Sequence, residues 1–142
     1  MPANNMPLNM ALIKADMIAA GSCITEAKKM SAKASKYIKG LAAFHLQQAS
    51  EKLIKIQLYH SGKKLDLKRL YKHSLYDLIV YAGDLNVNIT VPSYILKNQV
   101  VITSWEAGGR YDIHKVVRID TLEKCYQIIN EWYDYIKRSG IR

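Results

Sequence analysis

Cysteine is almost missing from this chain: Cys23 and Cys125 are the only two in 142 residues. They stand far apart, with no CxxC pair and no Cys/His cluster. That argues against a disulfide framework or a zinc module and favours two buried thiols. Proline (3) and glycine (7) are also scarce, so little in the sequence forces turns or disorder. No apolar run approaches the roughly 18 residues a membrane span requires. Lys14 and Asp16 interrupt the N-terminal stretch where a signal peptide would need an unbroken apolar segment, and the expectation is a cytosolic chain with no membrane partner.

Several catalytic signatures are absent too. There is no GxSxG, no P-loop and no GxGxxG, and His45, His60, His73 and His114 show neither HxxxH nor HExxH spacing. Nucleophile elbows, glycine-rich phosphate cradles and zinc hydrolysis therefore lack support, and no metal or cofactor is expected. Acidic residues are the remaining shortage. Twelve Asp/Glu face 21 Lys/Arg, for a net charge of +9. The excess is local: residues 26–72 carry 12 Lys/Arg against Glu26, Glu51 and Asp66, while the rest of the chain balances at nine against nine. Such a stretch either attracts phosphates or an acidic protein, or is a solvated helix face.

What is abundant is apolar residues, 49% of the chain, at helical spacing. Leu8, Leu12, Ala15 and Ala19, then Ile24, Ala27, Met30 and Ala34, outline a first helix, long or broken at Gly21-Ser22. Residues 37–59 form the plainest helix, with Leu41, Phe44, Ala49, Leu53 and Ile56 on one stripe and Ser61-Gly62 as its stop. A third helix is expected over 67–82, with Leu67, Leu70, Tyr71, Leu75, Leu78, Ile79 and Ala82 inward and Gly83 as its C-cap. Pro92 suits the first turn of a fourth through Tyr94, Leu96 and Val100. The β-branched run 100–103 would also fit a strand, but no partner strand is evident. Asp120 and Glu123 resemble a capping box opening a last helix, with Leu122, Tyr126, Ile129, Tyr133 and Ile136 inward. The expected fold is all-α, an up-and-down four- or five-helix bundle forming a single domain over 1–142.

Three segments carry chemistry. In the loop before the last helix, Gly108-Gly109 permits unusual backbone angles, Arg110 offers a fork for phosphate or carboxylate, and Tyr111 offers a stacking face; alternatively both side chains only pin the loop. On the second helix, Gln48, Glu51, Lys52 and Lys55 fall on adjoining turns, and Glu51 with Lys55 has ion-pair spacing. A polar network fixing the bundle is the competing reading there. Finally, AAFHLQQASEKLIKIQLYHSGKK, KHSLYDLI and WEAGGRYD, in that order before an amphipathic helix, resemble the HEPN family (higher eukaryotes and prokaryotes nucleotide-binding). The matching positions are Gln47, Gln48, Ala49, Glu51, Lys52, Lys55 and Leu58, then His73, Leu75 and Leu78, then Arg110 and Tyr111, within about residues 37–138.

The resemblance implies a helical bundle, commonly a homodimer, often paired with a minimal nucleotidyltransferase and associated with nucleotide binding, toxin–antitoxin systems or RNA cleavage. Carried onto this chain, it marks Arg110, Tyr111, Lys52, Lys55 and His73 as nucleotide- or phosphate-binding candidates. The chain departs from the ribonuclease members, which place four to six residues between an Arg and a His. Arg69 and His73, and Arg110 and His114, are closer than that, while Lys39–His45 and Lys68–His73 have the spacing without the guanidinium. His114 is the weak candidate for catalysis. Three functions follow in order: a nucleotide- or RNA-binding module, a non-catalytic interaction or antitoxin-like dimer, and a ribonuclease toxin.

Overall fold

A computed structural model of the chain describes residues 8–106 and 117–142. Among the described residues every regular element is helical, and the helices pack as a bundle. Helix α1 (Met10–Lys28) is opened by Asn9, whose side chain accepts from the Leu12 amide at 3.1 Å. Ser31 and Ser35 shape the turn into α2 (Lys36–Tyr59). Helix α2 ends where predicted: the His60 amide donates back to the Ile56 carbonyl, and Gly62 takes a φ of 76° that a side chain would strain.

Helix α2 is the centre of the molecule, packed against α1 and three later helices. Leu46, Ala49, Leu53, Ile54, Ile56 and Leu58 are fully buried on several of its sides. A single apolar stripe therefore describes it poorly, and Leu41 and Phe44, assigned to that stripe, are only half-buried.

Helix α1 corrects the expected register. It runs unbroken through Gly21-Ser22 and buries Met10, Ile13, Met17, Ala20, Ile24 and Ala27, whereas Leu12 and Ala15 face outward and Met30 and Ala34 lie exposed beyond its end. Two apolar stripes at the same period compete in this helix, and spacing alone does not choose between them. Gly21 has a packing role: a Cβ there would lie 3.1 Å from the Tyr126 hydroxyl.

The predicted third helix is two, α3 (Leu67–Leu70) and α4 (Leu75–Asp84). Asp66 caps the first and Ser74, accepting from the Asp77 amide at 3.2 Å, caps the second. Restarting the helix at Ser74 changes its phase, so Leu67 and Tyr71 point outward while Leu70, Leu75, Leu78 and Ala82 stay in the core. Gly83 lies inside α4 and is not its cap; the left-handed residue in the turn beyond is Asn86, with φ 57°.

The fourth helix also divides, into α5 (Ser93–Lys97), opened by Pro92, and α6 (Gln99–Thr103). Asn98 separates them, its side-chain amide donating to the Tyr94 carbonyl at 2.8 Å. The β-branched run is helical, and the core takes Ile95, Ile102 and Trp105 in place of the exposed Leu96 and Val100.

Helix α7 (Ile119–Arg138) buries Leu122, Ile129, Tyr133 and Ile136 as expected, together with Cys125 and Trp132, and leaves Tyr126 half-buried. The Asp120/Glu123 capping box does not form: Arg118 and the Thr121 amide engage Asp120, and Lys28 takes Glu123 at 2.6 Å. That pair, with Lys14 lying 5.3 Å from the centre of the Tyr133 ring, sets α7 antiparallel to α1. No described helix is long and apolar enough to cross a membrane.

Candidate functional site

A helix buried as thoroughly as α2 must pair every polar side chain it carries inward. Ser50 and Gln57 bond backbone groups, and the charged side chains centre on two carboxylates, each held between a lysine and a histidine. On the α1 side, Asp16 accepts from Lys52 Nζ at 2.6 Å and lies 2.9 Å from His45 Nδ1. One turn further along α2, Glu51 accepts from Lys55 Nζ at 2.6 Å and from Gln47 Nε2 at 2.9 Å. His73, from the α3–α4 junction, brings its Nδ1 to 3.2 and 3.3 Å from the two Glu51 oxygens. Gln48 donates to Gln47 at 2.7 Å and completes the set.

The predicted Glu51–Lys55 pair is therefore present. The sequence reading missed Asp16 and considered His45 only for its spacing from Lys39 and the other histidines, although Asp16 is the only charge on the stripe of α1 that packs inward, which is the signal that could have found it.

Burial separates the two ends of the Glu51 cluster. The Glu51 side chain is 6% exposed and that of His73 59%. With hydrogen on Nδ1 the ring donates to Glu51, and Nε2, which has no hydrogen-bond partner among the described residues, is left for something outside the protein. Lys52 and Lys55 differ: each is spent on a carboxylate at 2.6 Å. Arg69 also turns away from His73, pairing with Asp84 at 2.9 Å and lying 4.5 Å from the centre of the Tyr81 ring.

The basic stretch 26–72 proves to be divided. Lys28, Lys29, Lys52, Lys55 and Arg69 each have an acidic partner. Lys63, Lys64, Lys68 and Lys72 are exposed and have none among the described residues. They lie on the segment that leads from the end of α2 back to His73, so four free cations and a carboxylate-held imidazole share one short length of chain. Arg110, Tyr111 and His114 lie outside the described residues. Among those described, no three His, Cys, Asp or Glu side chains converge as metal ligands would.

No family model, curated protein or solved structure matches the chain.

Proposed function

We propose that the chain is a nucleotide- or RNA-binding helical module of the HEPN kind that acts with a nucleotidyltransferase-type protein. The observation that carries the binding is the segment 63–73. Its lysines are free to neutralise phosphates, and its histidine is held from behind by a buried carboxylate. With hydrogen on both ring nitrogens, His73 donates to Glu51 through one and to a phosphate oxygen through the other. Lys52 and Lys55 then belong to the support of the site, since drawing either onto a phosphate would take from a buried carboxylate, Asp16 or Glu51, the cation that lies 2.6 Å from it.

Fluorescence anisotropy with labelled RNA and labelled nucleotides, at about 50 and about 200 mM salt, tests this reading. Binding that weakens with salt and falls in His73→Ala supports it. Absence of binding at the lower salt overturns it.

A specific observation also favours the dimer. On the side of α1 that neighbours α7, Ile18 is 60% exposed, and Leu12 of the same helix 46%. Ile18 stands between two open grooves of about 1030 and 830 Å³. One is lined by Glu26, Asp120 and Glu123 with two lysines, the other by Lys14, Lys137 and Arg142. A two-fold axis near Ile18 would bring the exposed Ile18 side chains of two copies together and set the mixed-charge groove of one copy on the basic groove of the other, an isologous arrangement. Light scattering after size exclusion should give twice the chain mass, reverting to one in Ile18→Glu; a monomer for the parent chain at every concentration excludes it.

A further inference from the structure

The segment 63–73 offers more than charge. Leu67 is 51% exposed and Tyr71 69%, both being side chains that an uninterrupted helix would have turned inward. Leu67, Lys68 and Tyr71 follow at three- and four-residue steps through α3 and its C-cap and are exposed, so they share one side of that turn; Lys64 and Lys72, also exposed, flank it in the non-helical chain before and after. Leu70 is buried beneath them, and Arg69 is fixed on Tyr81 and Asp84. The Asp66 amide donates to the Tyr81 hydroxyl at 2.6 Å, which ties the start of α3 to α4. The turn is thus anchored from below, while an aromatic ring and three unpaired ammonium groups face solvent.

Tyr71 also lies near the end of α2: burial first, and then the neighbouring Tyr71 phenol, push the Tyr59 phenol above its ordinary range.

We infer that this side of α3 binds single-stranded polynucleotide, with a base stacked on Tyr71 and the flanking phosphates on Lys64, Lys68 and Lys72. The inference rests on the phosphate-binding reading above and adds to it the form of the ligand. Lysines alone attract any polyanion, duplex included. An exposed ring among them selects a strand whose bases are free, because a base inside a duplex has both faces already stacked. Leu67, one turn before Tyr71, widens the apolar surface under the base. His73 follows Tyr71 by two residues, is 59% exposed, and keeps Nε2 without a partner among the described residues, available to a phosphate or ribose oxygen.

The test compares one labelled oligonucleotide sequence as single-stranded RNA, single-stranded DNA and duplex, with a labelled mononucleotide, at about 50 and about 200 mM salt. Proteins compared are the full chain, Tyr71→Ala, Tyr71→Phe and Lys64→Gln/Lys68→Gln/Lys72→Gln. Single strands should bind at least about 5-fold more tightly than duplex. Tyr71→Ala should lose about 5-fold or more of that affinity with its salt dependence unchanged, while Tyr71→Phe keeps it. The triple lysine variant should lower the slope of log affinity against log salt by about 2. Equal binding of duplex and single strand, with Tyr71→Ala indifferent, would overturn the stacking platform and leave phosphate binding standing. Absence of binding to all four ligands would remove both. Circular dichroism guards against misfolding, for which these exposed positions give little cause.

Discussion

Glu51 is the side chain on which the polar interior converges. Its two oxygens serve Lys55, Gln47 and His73 together, although the side chain is 6% exposed. Removing it strands a lysine ammonium that is itself mostly covered. Glu51→Ala should therefore cost about 3 kcal/mol in urea unfolding. Glu51→Gln, which keeps the shape and one acceptor, should cost less. If the two variants were equally stable, the carboxylate would not be what holds the cluster. Cys125 offers a separate check on the interior. Burial pushes its thiol from an ordinary 9.0 up to about 12. Its folded value thus lies above its unfolded one, so the thiol contributes nothing against pH until about 9 and subtracts stability as pH rises from there towards 12. Unfolding measured across that window should lose this component in Cys125→Ala. An alkylating reagent near neutral pH should label the half-buried Cys23 well before Cys125.

At the level of elements, the connector between α4 and α5 shows how a bundle fixes an extended segment without a partner strand. Gln57 of α2 accepts from the Thr90 amide at 2.7 Å and donates to the Thr90 carbonyl at 3.0 Å. Trp132 of α7 donates to the same carbonyl at 2.9 Å. Truncating Gln57 to Ala leaves the amide without that acceptor and should cost about 2 kcal/mol by chemical denaturation, with the loss of protection from hydrogen exchange greatest at Thr90. A uniform loss of protection would mean that the clamp is not local. This amide pairing was not legible in the sequence, because Gln57 reads there as an ordinary helix former. The long helices were legible, since apolar spacing and the Ser61-Gly62 stop are local signals. The phase of α1 was not, because Leu12/Ala15 and Ile13/Met17 repeat at the same interval and only the position of α2 decides between them. The third and fourth helices were read as continuous, as Ser74 and Asn98 act through side-chain bonds that spacing does not register. For the site, the Glu51–Lys55 pair and His73 could be picked out by spacing and resemblance, whereas the exposure of Tyr71 depends on where α3 stops.

Across the whole molecule, the lysines of the basic stretch 26–72 that lack an acidic partner among the described residues, the buried Lys39 aside, gather in two places separated by the length of α2. Lys33 and Lys36 lie at its start, and Lys63, Lys64, Lys68 and Lys72 follow its end. With 24 residues at about 1.5 Å each, the helix is about 36 Å long, several times the roughly 10 Å over which charges remain felt in 0.1 M salt. The two groups therefore act as independent surfaces, although they contribute alike to the net charge. A matched pair of variants separates a local site from general attraction. Lys33→Gln/Lys36→Gln and Lys64→Gln/Lys68→Gln each lower the net charge by two, from +9 to +7. If net charge governs binding to single-stranded RNA, the two double variants should lose the same affinity and the same salt dependence. A site on 63–73 instead predicts that the second variant weakens binding several-fold, with a slope shallower by about 1.4, while the first stays close to the parent chain. Equal losses would return the basic stretch to the role of a solvated, solubilising surface, and the bundle would then have to be understood through the α1–α7 face.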